Sequence, residues 1–397
     1  MKKLRIHSFI FLAFVCLLSS CEPEQLDQLS ASDVPLLSEQ TGADGSGAYY
    51  VGNRDIDSRH EGVTFTNATF ANGVTIFNTR DVTFVNCTFT NPSSWGVRFR
   101  KDFDTDDTQN VNFINCRFLA SMYDNVNISR DDSIGDRVLH KDISFEGCYF
   151  EGWGNTNPVD QRHYYHAIYA KCPNVKINNC EFNATIPDAG HTLSIRSSAR
   201  VTNNIFRSSA RGHNPISYSP KNLPGNPDRG WNSIRIMNNL IYTGKQNVPV
   251  GLIYLDTQDR FETNPNNIIN SIAVCFNTVA ILPGEDSENM YISCLRITEP
   301  VTPAYISVYG NLLVDGRNQS AAHDIIKETF RTDNLSNNVM STNLDEHFVD
   351  WRNGNFRLKS GSGAIGAAND ETSYIVPTDI VGQPRAQGDA DAGAYMF

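Results

Sequence analysis

Along most of the chain, apolar side chains alternate with polar ones in short runs that end in the same way. VTFTNATF from Val63, VTFVNCTF from Val82, VNFINCRF from Val111, ISFEGCYF from Ile143 and VKINNCEF from Val175 share one pattern. ARVTNNIF from Ala199, IRIMNNLI from Ile234, IAVCFNTV from Ile272, ISVYGNLL from Ile306 and DNLSNNVM from Asp333 continue it. Alternation with period two marks a strand with one buried face. The fifth position is nearly always Asn or Gly, which suit a backbone with positive φ. The pattern therefore predicts a strand, a corner and a second strand in a new direction.

Successive corners lie 19 to 38 residues apart. A unit of that length cannot bury its own apolar face, so the repeat predicts a solenoid in which stacked coils share one core. The expected fold is all-β, a right-handed parallel β-helix of about ten coils, with loops of varying length bulging from it. Cys87, Cys116, Cys148 and Cys180 hold the sixth position in successive coils. Asn204, Asn239, Asn277, Asn311 and Asn338 continue the column. Such a column predicts buried thiols as small apolar filler, followed by amides that satisfy turn N–H groups. There is no Cys-x-x-Cys for a zinc site, and the seven cysteines of the body are too odd in number for a complete disulfide framework.

The ends of the chain break the pattern. Lys2, Lys3 and Arg5 precede the apolar stretch from Phe9 to Leu18, which is too short for a permanent membrane span. The stretch runs into Leu18-Ser19-Ser20-Cys21, which resembles a bacterial lipobox. The resemblance implies cleavage before Cys21, lipidation of Cys21 and a place in the cell envelope, held at a membrane. Residues 1–20 then form the signal peptide, and the acidic, aromatic-free residues 21–48 a flexible tether. Residues 49–345 form the β-helix and 346–397 a C-terminal cap expected to cover the open edge of the last coil.

Composition narrows the function. The chain has 397 residues, 40% hydrophobic and 19% charged, with a net charge of −11. That is a folded, soluble body rather than a disordered or multi-span chain. The acidic balance argues against nucleic acid as a partner. The expected partner is instead an anionic polysaccharide met by a monomer, because cations concentrate on one strand face. WGVRFRK from Trp95, DNVNISR from Asp124, HAIYAK from His166, HTLSIR from His191, NPISYS from Asn214 and VGLIYL from Val250 align as equivalent strands. Their alternation turns pairs such as Ile168/Ala170, Leu193/Ile195 and Leu252/Tyr254 inward. It turns Arg98, Arg100, Asn127, Tyr169, Lys171, Ser194 and Arg196 outward, with Arg130 just beyond. His166 and His191 fall at the strand starts, one coil apart. The loop 211–231 adds Lys221, Arg229 and Trp231 as further sugar-binding candidates.

Cations beside histidines and a tyrosine suit β-elimination of a uronic acid. The reaction needs positive charge at the carboxylate, a base near C5 and an acid at the leaving O4. His166, His191, Tyr169, Lys171 and Arg196 are the candidates. HAIYAKCPNVKINNCEF followed by GHTLSIRSSARVTNNIF resembles secreted bacterial right-handed β-helix proteins related to polysaccharide lyases, the pectate lyase-like superfamily. These carry an HGIY-type strand and, one coil later, a GH-x-L-K-S-R-A-type strand. His166, Ile168 and Tyr169 match the first; Gly190, His191, Leu193 and Arg196 match the second. Ser194 stands in place of the usual Lys and Ala167 in place of the Gly. If that Lys handles the proton in the group, activity is lost here or the role passes to Lys171 or Lys221.

Other readings stay open. Asp102, Asp104 and Asp106 alternate in one loop and offer oxygen ligands for Ca²⁺, although no cofactor is required by the chemistry above. Arg130-Asp131-Asp132, Gly190-His191 and Arg235-Ile236 resemble fragments of β-helix polygalacturonases, which implies a glycoside hydrolase using paired aspartates. A third reading is a lipid-anchored β-helix that binds glycans without turning them over.

Overall fold

The computed structural model describes residues 47–397 except 101–106, 130–139, 156–158, 187–188, 209–213, 220–232, 244–250, 257–270, 284–292, 299–305, 318–324, 329–334, 369–375 and 386–389. The segments expected to be a signal peptide and, for the most part, a tether fall outside the described residues, as does Cys21. So do Asp102, Asp104, Asp106, Arg130, Asp131, Asp132, Lys221, Arg229 and Trp231.

The described chain winds as a right-handed parallel β-helix built of three sheets. Sheet I has eleven strands, from Tyr49–Tyr50 to Val339–Ser341. Sheet II has ten, from Arg54–Ile56 to Ile326–Glu328, and sheet III has ten, from Thr64–Thr66 to Leu335–Ser336. Each coil visits sheets I, II and III in turn. Every strand of these sheets pairs in parallel with its equivalents in adjacent coils, as Val126–Ile128 does with Ile168–Ala170.

The corner from sheet III to sheet I is where the repeat pattern placed it. Positive φ occurs at Asn67, Asn86, Asn115, Asn179, Asn203, Asn238 and Asn337, and at Gly147 and Gly310. Phe276 takes the same conformation at φ 54°, costly for a bulky side chain. Its ring is buried, and the Arg385 guanidinium lies 4.3 Å from its centroid. A second set of left-handed residues bends the strands of sheet III: Asp81, Asn110 and Asp142 lie within Thr79–Val85, Thr108–Ile114 and His140–Glu146, and Asn174 just before Val175–Asn178. Asn110 and Asn174 each donate a side-chain hydrogen bond to the Asp one coil earlier, at 2.5 and 3.0 Å.

Inside, the aromatic positions stack coil upon coil. Phe70, Phe89, Phe118, Phe150, Phe182 and Phe206 form one file along sheet I, with successive centroids 4.5–5.0 Å apart. Phe65, Phe84, Phe113 and Phe145 form a second along sheet III, 5.0–5.1 Å apart, set edge-on to the first. The thiols of Cys87, Cys116, Cys148 and Cys180 are buried and donate to backbone carbonyls, as Cys116 does to Phe84 at 3.4 Å. From Asn204 onward amides replace them. The Cys180 N–H donates to Asn204 Oδ1 at 2.8 Å, and Asn204, Asn239, Asn277 and Asn311 each donate to the next Asn Oδ1 at 2.8–3.0 Å.

The segment after residue 345 was expected over the edge of the last coil. Among the described residues, its contacts run along outer sheet faces. Phe348, Phe356 and Leu358 pack with Leu240, Leu312 and Val314 of sheet I, and Val376 and Ala390 with Met237 and Tyr309 of sheet III. Arg385 fastens it, donating to Asn238 Oδ1 at 2.7 Å and to the Gly393 carbonyl at 2.8 Å.

Candidate functional site

Three outward rows cross the coils of sheet II. The middle row follows from strand register. Arg98, Asn127, Tyr169, Ser194, Ser217, Tyr254, Arg296 and Lys327 are directly paired neighbours. Tyr254 belongs here, opposite Ser217, rather than inward as the alternation suggested; Ile253 and Leu255 are the inward pair. The run Leu252-Ile253-Tyr254-Leu255 carries apolar residues in both phases, so alternation alone could not choose between them.

Three residues before Arg98, Asn127, Tyr169, Ser194 and Ser217 lies the entry row of Trp95, Asp124, His166, His191 and Asn214. Of these, the sequence pattern singled out only the histidines. The rings of His166 and His191 stack at 5.6 Å and 6°. Their Nδ1 atoms have opposite partners. His166 Nδ1 lies 2.9 Å from the His191 carbonyl, so this nitrogen carries the proton and donates. His191 Nδ1 accepts from the Asn214 backbone N–H at 3.1 Å, so in this ring the proton resides on Nε2. The backbone thus assigns opposed tautomers: in the neutral pair, Nε2 of His166 is basic and Nε2 of His191 is a donor.

The exit row holds the cations. Lys171 Nζ lies 5.9 Å from the centroid of Tyr169, whose ring stacks with His166 at 5.5 Å and 13°. Arg196 sits one coil on, its backbone N–H bonded to the Ala170 carbonyl and its Nη1 donating to Ser219 O at 3.4 Å. His166, Tyr169, Lys171, His191 and Arg196 therefore share one patch spanning two coils. Arg98 and Arg100 lie two coils away against the rings of Trp95 and Phe77, at 4.8 and 3.4 Å. Asn127 and Ser129 occupy the coil between, where the expected cation, Arg130, lies outside the described residues. Arg235, singled out with His191 on the hydrolase reading, lies on sheet III, on a different face.

The entry row contains a buried acid. Asp124 accepts from the His166 backbone N–H and from Asn127 Nδ2, both at 2.6 Å. Burial outweighs these bonds and pushes its pKa up to about 7. A carboxyl raised by folding gives stability that is fully present below its unfolded pKa near 3.8 and is lost as pH rises through 7. A shift of that size is worth about 4 kcal/mol. We expect Asp124→Asn to gain melting temperature relative to the parent between pH 4 and pH 8. A difference that stays flat over that range would mean that Asp124 titrates normally.

Beside Asp124 runs an exposed-edge aromatic file that sequence reading also missed. Trp95, Tyr123 and Tyr165 approach at 4.7 and 4.9 Å, one ring per coil. Among the described residues, two buried polar groups of the patch, Ser194 Oγ and the Asn214 amide, have no hydrogen-bond partner. Each such group costs about 1–3 kcal/mol unless a ligand or solvent completes it.

Comparison with protein-family models finds no match, and comparison with curated proteins finds none either. Among solved structures, the chain is similar to the crystal structure of pectate lyase Pel9A. The two are 13% identical with a TM-score of 0.38, over 84% of this chain and 70% of that one. The β-helix assignment rests on the three sheets themselves.

Proposed function

We propose that this chain is a polysaccharide lyase that cleaves a uronic-acid-containing polysaccharide by β-elimination at the sheet II patch. The observation that carries the reading is the opposed tautomers of His166 and His191 beside Tyr169, Lys171 and Arg196. His166 Nε2 removes the C5 proton. Arg196 and Lys171 hold the carboxylate and stabilise the enolate-like anion that forms. As the C4–C5 double bond forms, the C4–O4 bond breaks and the Tyr169 hydroxyl gives its proton to the departing oxygen. The His191 Nε2–H holds a hydroxyl oxygen of the same sugar. Proton exchange with water then restores neutral His166 and Tyr169.

The test is incubation of the full chain with a panel of anionic polysaccharides. β-Elimination gives new ultraviolet absorbance from the C4–C5 double bond. New reducing ends without that absorbance would establish a hydrolase instead. Binding without either product would leave a glycan-binding β-helix.

A further inference from the structure

A second groove lies on another face of the solenoid. It has a volume of about 510 Å³ and runs over sheet III, with residues 376–378 of the C-terminal segment as one wall. Its floor carries Lys176, Arg200 and Arg235, directly paired in register in three successive coils. All three are exposed, and none makes an ion pair among the described residues. Strand spacing sets them about 4.8 Å apart. Like charges directly opposite one another on a sheet are destabilising. Among the described residues, the fold therefore carries a stripe of three cations without ion-pair partners, in a chain whose net charge is −11.

The next row toward the corner is polar and locked. Asn178 Oδ1 accepts from Thr202 Oγ1 at 2.7 Å and from Asn203 Nδ2 at 2.8 Å. Asn238 Nδ2 donates to Asn203 Oδ1 at 2.6 Å and to the Thr378 carbonyl at 3.2 Å, tying floor to wall. Arg385 holds the same Asn238 from the C-terminal side. The groove is thus preformed, which limits the ordering cost of binding. Glu146 closes one end, where its carboxylate accepts from Asn178 Nδ2 at 2.9 Å.

We propose that this groove binds a segment of a linear anionic glycan, laid along the coil axis with successive carboxylates or sulfates on Lys176, Arg200 and Arg235. The neighbouring amides and hydroxyls suit a ligand that alternates charge with hydroxyl groups. The overall negative charge opposes a dense polyphosphate such as nucleic acid. The groove lies on sheet III and shares no residue with the sheet II patch, and the proposal does not depend on β-elimination there. Its effect is to retain a polymer chain on the protein independently of the reaction.

The test is calorimetric titration of the full chain with two probes, a polygalacturonate oligosaccharide and a sulfated heparin oligosaccharide, at low and moderate salt. We expect at least one to bind, with affinity falling as salt rises. Arg200→Glu should weaken that binding at least tenfold and Arg235→Ala several-fold, both with unchanged melting temperature. His166→Asn should leave this component of binding intact. The proposal is overturned if neither probe binds, if Arg200→Glu binds like the parent, or if His166→Asn alone removes all binding. Tighter binding of a single-stranded oligonucleotide than of either glycan would overturn the ligand class.

Discussion

Phe118→Ala is expected to lower the stability of the solenoid by about 3–5 kcal/mol, the range for deleting a fully buried aromatic side chain. Phe118 is wholly buried between Phe89 at 5.0 Å and Phe150 at 4.5 Å, with Phe113 edge-on at 5.5 Å. Its coil neighbours are held at strand spacing by backbone pairing on both sides, so they cannot collapse into the void. The cost should sit at the high end for that reason. Denaturant unfolding followed by circular dichroism measures it. Because each coil touches only its neighbours, the break is expected to broaden the transition as well as shift it. A loss below about 1 kcal/mol would show that the file is loosely packed.

His166→Asn is expected to lower turnover by about 10²–10⁴-fold on any polysaccharide that the parent cleaves, the usual contribution of a general base. The Asn amide keeps a donor near the position of Nδ1, so the bond to the His191 carbonyl survives. It removes the basic Nε2. Melting temperature should therefore change by only a few degrees while kcat collapses. Initial rates followed by the absorbance of the unsaturated product give the first number, and thermal unfolding the second. Turnover within threefold of the parent would remove His166 from the mechanism.

The backbone path was legible because its grammar is local. An apolar residue at every second position, then Asn or Gly at positive φ, is written out in nearly every coil, and only Phe276 breaks it. The bend in sheet III was equally available: Asp81, Asn110, Asp142 and Asn174 each stand just before a strand's first apolar residue. The site was legible only in part. Tyr169, Lys171 and Arg196 follow from alternation within their own strands. Trp95, Asp124 and Asn214 do not, because they join the histidines only through register between coils separated by loops of unequal length. Asp124 carries no mark in the sequence that distinguishes it from the chain's many exposed acids; its hydrogen bond to the His166 N–H crosses 42 residues. Tyr254 was misplaced because its run is apolar in both phases, and the cations of sheet III were not joined into one stripe because they fall one per coil.

The column of cysteines makes folding of this chain a matter of timing. Stacked, the thiols of Cys87, Cys116 and Cys148 are chemically quiet: burial pushes the pKa of Cys116 and Cys148 far up, and for Cys87 the hydrogen bond with the neighbouring Cys116 thiol does so first, with burial adding to it. Thiolate, the species that oxidises and exchanges, is then scarce. An unwound chain has ordinary thiols at intervals of about one coil, free to meet in any pairing. In an oxidising compartment, the coils must close before those thiols find partners, and a crosslink between wrong coils would fix the strands out of register. Nascent chains held open near oxidant are therefore the vulnerable population, while the finished solenoid needs no reductant to persist.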